Sequence, residues 1–437
     1  MQLAATLNVR DFINNRPLSR NQWALVLLCF FIVAVDGMDV AIMGFVAPAI
    51  LSEWNISRPA FGIVMGAAPI GLAVGALLAG SSSDWWGRRR VLLCSVFSFG
   101  IFTLFTAFAR DTTEMALLRF ITGLGLGAAM PNTTTLLSEY VPERRRAFLV
   151  AAMFTGFNLG SALVGFAAAA LIPAFGWRSV LMTGGALPLL LMPLLLVFLP
   201  ESARYMVVRS YPVQQIAKVL SKMTQARLDG VQNYTTGEAT VGVRQPIAVL
   251  FHEGFKLRTV TLWLTYFMGL LVIYLTTSWL PTMMKDAGMS IDRAANVTAM
   301  FQLGGTVGAL LVGWLMDRMD PNRVIAVAYL LGAAALLAMG LSGLMSASIV
   351  ALVVAVGFCL SGAQTGLNGF APGCYPTMAR ATGVSWMLGV GRLGSILGSS
   401  IGGLLLSQGW GFEGIFSALA IPAALAGCAI LLNRRSL

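Results

Sequence analysis

Four ionisable residues fall inside long apolar runs. Asp36 and Asp39 lie in FIVAVDGMDVAIMGF (31–45), Arg119 opens RFITGLGLGAAMP (119–131), and Arg392 lies in GVGRLGS (389–395). On an insertion scale an Asp at the centre of a membrane helix costs roughly 2.5–3.5 kcal/mol. Intramembrane carboxylates usually face a cavity and mark an ion or proton path. Asp36 and Asp39 are three apart and share a helix face. Counted from residue 22 at about 1.5 Å per residue, Asp36 lies roughly 21 Å along its helix, near the bilayer middle. Two close carboxylates in a poorly hydrated cavity resist ionising together, so the pair is expected to bind and release a proton as a unit. Spacing leaves open which of the two carries it. The competing reading is an Asp that only hydrogen-bonds a neighbouring helix.

A guanidinium at mid-depth needs an anion, and it binds carboxylates in bidentate fashion. For Arg392 that anion is either the carboxylate of a substrate or Asp36 or Asp39 across the molecule. Arg119 either reaches a carboxylate from a helix whose Gly123, Gly125 and Gly127 permit close packing, or snorkels to the interface. Tyr266, Tyr274 and Trp279 offer ring surfaces, with an interfacial anchor as the alternative for Trp279. Gln364 and Asn368, four apart on one face, can bond the same polar group.

These residues require membrane-spanning helices to position them. Of 437 residues, 57% are hydrophobic and 11% charged, with mean hydropathy +0.79. Soluble chains carry about 25% charged residues, so an all-α polytopic membrane protein is expected. Twelve apolar spans of about 20 residues are read at 22–49, 60–82, 89–109, 113–137, 147–171, 177–198, 258–283, 293–316, 322–344, 347–372, 380–407 and 412–433. The polar stretch 200–257 divides them, giving bundles at 1–199 and 258–437 around a central loop. The first residues lack the apolar core and cleavage site of a signal peptide and read as an interfacial segment.

The net charge of +11 does not indicate nucleic-acid binding, because the basic residues cluster in short loops. Of the 29 Lys and Arg, 22 fall on the side that holds both termini and the central loop, and five on the other. That asymmetry predicts cytoplasmic termini. Opposite charges at the cytoplasmic mouth, among Asp84, Arg88, Glu139, Arg145, Asp317 and Arg380, are suited to latch the two halves, with topology-setting charge as the alternative. Asp84 also suits the positive N-terminal end of the eleventh helix. The five cysteines have no metal-ligand spacing, so neither a metal site nor a disulfide is expected. His252, the only histidine, reads as a loop residue.

An internal repeat completes the pattern. GSSSDWWGRRRV (80–91) and GWLMDRMDPNRV (313–324) keep Gly, Asp, Arg and Val at identical spacing, and NLGSALVG (158–165) answers RLGSILGS (392–399). Two six-helix halves in parallel orientation place a substrate between them near mid-membrane.

The loop, the repeat and twelve spans together resemble the major facilitator superfamily. Gly80, Asp84, Gly87, Arg88 and Arg89 match its loop signature, Trp85 departs from it, and EYVPERRR (139–146) follows another of its patterns. Within it, DGMD (36–39) with GFVAPAI, SWLPTMM (278–284) and YPTMARATGVSWMLGVGRLGSILG (375–398) make the chain look like the aromatic acid:proton symporters. The resemblance implies import of a hydroxybenzoate-like anion across a bacterial inner membrane by a monomer. The coupling ion would be the proton, with no cofactor. Asp36, Asp39 and Arg119 would serve proton coupling, and Arg392, Asp39, Gln364, Asn368, Tyr266 and Tyr274 would serve the substrate. The rival readings are a porter for another organic anion; a sugar porter, suggested by PESAR (200–204); a drug:proton antiporter; and a membrane sensor signalling through 200–257. A membrane-embedded enzyme ranks below them, for want of a catalytic constellation.

Overall fold

The computed structural model describes residues 6–226, 228, 231–236, 250–251, 255–343, 348–375 and 377–433, with the side chains of 79–81, 84, 147, 372 and 377–382 outside the description. Twelve long helices are present among the described residues. Six precede the central segment: α2 (Arg20–Trp54), α3 (Arg58–Trp86), α4 (Arg88–Thr106), α5 (Thr112–Tyr140), α6 (Glu143–Phe175) and α7 (Trp177–Phe198). Six follow it: α10 (Lys256–Asp286), α11 (Ile291–Met316), α12 (Pro321–Ser342), α13 (Ile349–Phe370), α14 (Thr377–Ser407) and α15 (Phe412–Asn433). Shorter elements among the described residues are β1 (Thr6–Asn8) and α1 (Val9–Asn14) at the start, α8 (Ala203–Val208), α9 (Val213–Thr224) and β2 (Asn233–Thr235) between the bundles, and a 3-10 turn at Ala371–Cys374 between α13 and α14.

Local chemistry sets the helix ends. Ser19 and Gln22 form a capping box at the start of α2, and Asn55 in the left-handed conformation ends it. Ser57 caps α3 and Asp111 caps α5. Gly87, at φ 89°, separates α3 from α4 and leaves α4 without a cap of its own. The carboxylate of Glu201, in the PESAR stretch, takes that role. Its Oε1 accepts from the backbone N–H groups of Arg88 (2.9 Å) and Arg89 (3.2 Å).

Eleven of the twelve long helices are apolar enough to cross a membrane by length and composition. The exception is α5, where Arg119, the spaced glycines, Asn132 and Thr133–Thr135 dilute the apolar run. It packs against α3 and α4. Arg119 is buried against Asp39 of α2, while Asn132 and Thr133, also buried, donate to the Ala128 and Ala129 carbonyls of α5 itself. Elsewhere large apolar side chains such as Ile63, Leu77, Leu190 and Leu341 stand exposed, as on a surface that lipid covers.

The packing repeats between halves. α3 packs on α5 as α11 packs on α13, α2 on α6 as α10 on α14, and α4 on α7 as α12 on α15. Small residues allow the approach. A Cβ at Gly123 would strike the Ala68 carbonyl, and one at Gly357 would strike the Phe301 carbonyl. The halves meet along α2–α10, α3–α14 and α6–α11. The N-terminal segment docks on the central one and on the start of α6. β1 and β2 pair in parallel, the Ser19 hydroxyl donates to the Met223 carbonyl, and the Arg10 Nε donates to Glu143 Oε1 at 2.5 Å.

Candidate functional site

Asp39 is enclosed. Arg119 donates through Nη2 to Oδ2 at 2.5 Å and through Nη1 to Oδ1 at 3.2 Å, and Nη2 also reaches the Asp39 carbonyl at 3.3 Å. The Thr103 hydroxyl of α4 donates to Oδ1 as well. Asp39 is 1% exposed and Arg119 and Thr103 are 0%. Arg119 therefore does not snorkel; it is a buried bidentate partner inside the first six helices. Thr103 was invisible in the sequence, since one threonine in an apolar span carries no signal.

Asp36 has a different environment. It is also 1% exposed, yet its Oδ1 has no hydrogen-bond partner among the described residues. The charges that act on it are Arg392 of α14, across the seam, and Asp39. A three-residue step rotates a side chain by about 60° round the helix. That step is enough to send Asp39 into its own bundle while Asp36 faces the opposite one. The Ser161 hydroxyl of α6 holds the intervening Gly37 carbonyl at 2.7 Å, which fixes the backbone between the two.

On the far side of the seam, half-buried Arg392 lies within reach of the Tyr274 hydroxyl and close to Tyr266. The Tyr266 hydroxyl is also near Gln364 and Asn368. The Tyr266 ring packs where Gly391 has no side chain. Tyr266, Tyr274 and Gln364 are buried, whereas Asn368 is exposed. Trp279 is fully buried and donates from Nε1 to the Ser399 carbonyl at 2.7 Å. It is therefore a packing residue of α10 against α14 rather than an interfacial anchor.

The halves approach closely at the end where α2 finishes and α3 begins. Arg58 pairs with Asp286 at 2.6 Å, and Lys285 Nζ reaches the Pro48 carbonyl at 3.4 Å. A Cβ on Gly62 would lie 2.7 Å from the Ser400 carbonyl, and one on Gly44 would collide with that of Thr277. At the opposite end, Arg88 and Glu139 pair loosely at 3.9 Å, both within the first half, and the Ser202 hydroxyl donates to Glu139. Arg145 and Asp317 are exposed. The side chains of Asp84 and Arg380 lie outside the described residues, as does His252.

The major facilitator superfamily model matches residues 29–290 and 262–436. The chain belongs to that superfamily. Among its relatives, this facilitator is 54% identical to the gallate transporter of Pseudomonas putida, over 98% of this chain and 95% of that one. It is 50% identical to the 4-hydroxybenzoate transporter PcaK of Pseudomonas aeruginosa, over 98% and 96%. Its fold is similar to that of a D-xylose–proton symporter, with TM-score 0.73 and 19% identity over 93% of this chain and 97% of that one. It also resembles a bacterial homologue of the human lysosomal transporter Spinster, with TM-score 0.69 and 17% identity over 96% of both chains. This facilitator is a multi-pass inner-membrane transporter, not an enzyme. Among the described residues no cluster of His, Cys, Asp or Glu is suited to a metal, and all five cysteines are free.

Proposed function

We propose that this facilitator imports an aromatic carboxylate together with a proton by alternating access. The observation that carries the reading is the buried Asp36 carboxylate, with one oxygen unpartnered, facing Arg392 across the seam. A proton on Asp36 removes the negative charge that Arg392 senses. The guanidinium is then free to take the substrate carboxylate, with Tyr266 and Tyr274 beside the ring and Gln364 and Asn368 further along. Proton and anion together leave the cavity neutral, which lowers the electrostatic cost of crossing an occluded state. Asp39, sealed by Arg119 and Thr103, acts on the substrate through its field on Asp36 rather than by contact.

The aromatic class comes from the relatives; the charge arrangement itself selects an anion. Both termini and the central segment 200–257 face the cytoplasm in this reading, and the monomer with bundles 1–199 and 258–437 is the working unit. The Arg58–Asp286 end is then the outer one, and the conformation is closed to the outside. At the inner end, Arg88, Glu139, Arg145, Asp317, Asp84 and Arg380 form the gate. The test is uptake of labelled benzoate, hydroxybenzoates, protocatechuate, gallate and vanillate into proteoliposomes under an imposed pH gradient. At least one acid is expected to accumulate. Equal accumulation after the gradient is dissipated would refute proton coupling.

A further inference from the structure

Gln364 of α13 is buried with half of its amide unused. Its Oε1 accepts from the Tyr329 hydroxyl of α12 at 2.7 Å, while its Nε2 has no partner among the described residues. Tyr329 is fully buried and Gln364 is 7% exposed. Room for the pair comes from Gly269 of α10, where a Cβ would collide with both the amide oxygen and the phenol oxygen. An amide whose oxygen is held by a phenol presents its NH2 to whatever lies beyond. The Tyr266 hydroxyl lies near the Gln364 amide and near Asn368, and it can take at most one of the two N–H bonds that Nε2 offers.

We infer that Tyr329 is a positioning residue for substrate selectivity: it fixes the Gln364 amide so that Nε2 donates to the ring-hydroxyl oxygen of an aromatic carboxylate held at Arg392. The inference rests on the proposed function and deepens it. Tyr329 touches the amide and not the substrate. A ring bearing a hydroxyl satisfies an N–H that Tyr266 does not take, whereas a bare ring leaves that N–H buried and unpaired. Sites built to hydrogen-bond a hydroxyl reject analogues that lack it, because the unmade bond carries a desolvation penalty. Without the Tyr329 hydroxyl the amide is free to turn, and that discrimination is lost.

The test compares benzoate with the three monohydroxybenzoates as ligands of the full-length protein in proteoliposomes. For Tyr329→Phe, the best-bound hydroxybenzoate is expected to weaken by about three- to tenfold, the scale of one hydrogen bond. Benzoate should change by less than about twofold, since its ring makes no bond to the amide. Gly269→Ala, which displaces the same pair from α10, should lower the hydroxybenzoate-to-benzoate preference in the same direction. Adding Gln364→Ala to Tyr329→Phe should lower that preference no further, because both act through one donor. Equal weakening of all four acids by Tyr329→Phe, or an unchanged preference, would overturn the assignment. If the wild-type protein binds none of these four acids yet accumulates gallate, protocatechuate or vanillate, the inference falls while the transport reading stands; accumulation of none of the acids removes both.

Discussion

The two carboxylates of α2 should respond differently to the same substitution. In Asp39→Asn the amide keeps the shape but removes the charge that answers Arg119. That leaves a guanidinium at 0% exposure whose Nε already lacks a partner among the described residues. Removing one member of a buried ion pair typically costs about 3–5 kcal/mol, because the other charge is stranded. The bidentate contacts at 2.5 and 3.2 Å and the added Thr103 hydroxyl argue for the full range. In Asp36→Asn no such bond is broken at Oδ1, so the change in stability should be about 1 kcal/mol or less. Thermal unfolding of the detergent-solubilised protein measures the first quantity. Gradient-driven uptake, set against equilibrium exchange of the same acid, measures coupling. Asp36→Asn should melt near wild type yet lose accumulation while retaining exchange. Asp39→Asn should melt lower and lose both. Combining Asp39→Asn with Arg119→Gln removes both charges and should recover stability without recovering coupling. If Asp36→Asn melts as low as Asp39→Asn, or Asp39→Asn melts with wild type, the division of labour is wrong.

Three further outcomes follow from the seam. Arg392→Ala should weaken acid binding by more than tenfold, the scale of a lost charge-assisted pair of about 1.5–3 kcal/mol; unchanged affinity in a binding assay would leave Arg392 a packing role only. Arg58→Glu should cost under about 1 kcal/mol in stability, because both partners are over a third exposed. It should nonetheless expose the outer seam, read as faster labelling of a cysteine at Ser400 by an impermeant maleimide in a cysteine-free background. Adding Asp286→Arg should reverse that exposure. Gly44→Ala places a methyl against the backbone carbonyl of Thr277 rather than against a yielding side chain. It should hold the outer end apart and slow uptake, and wild-type rates with wild-type labelling would count against close approach there.

The amount of chain that is apolar, the spacing of its polar breaks and the recurrence of GSSSDWWGRRRV as GWLMDRMDPNRV were enough to establish a twelve-helix, two-half architecture. These are one-dimensional properties: a bilayer demands about 20 apolar residues per span, and a duplicated unit leaves its motif at a constant offset. The same reading located Asp36, Asp39, Arg119 and Arg392, because a charge inside such a span is conspicuous. In α5, which falls short of the other eleven in apolar length, Arg119 is met by Asp39, distant in the chain, while Asn132 and Thr133 are met by carbonyls one turn back.

Tertiary structure decided the pairing. Asp36 and Asp39 are near-equivalents in sequence, yet a rotation of about 60° gives one a sealed arginine partner and the other an open oxygen facing the seam. Whether Arg119 snorkels or is buried depends on α3 and α4 closing round it, a contact between residues far apart in the chain. Thr103 and Tyr329 acquire meaning only from the atoms they touch, because a hydroxyl among apolar residues has no periodicity to betray it. Composition and repeat thus determined how many helices there are and which charges fall within their spans. Which charge answers which was set by helix rotation and packing, quantities that no single stretch of sequence contains.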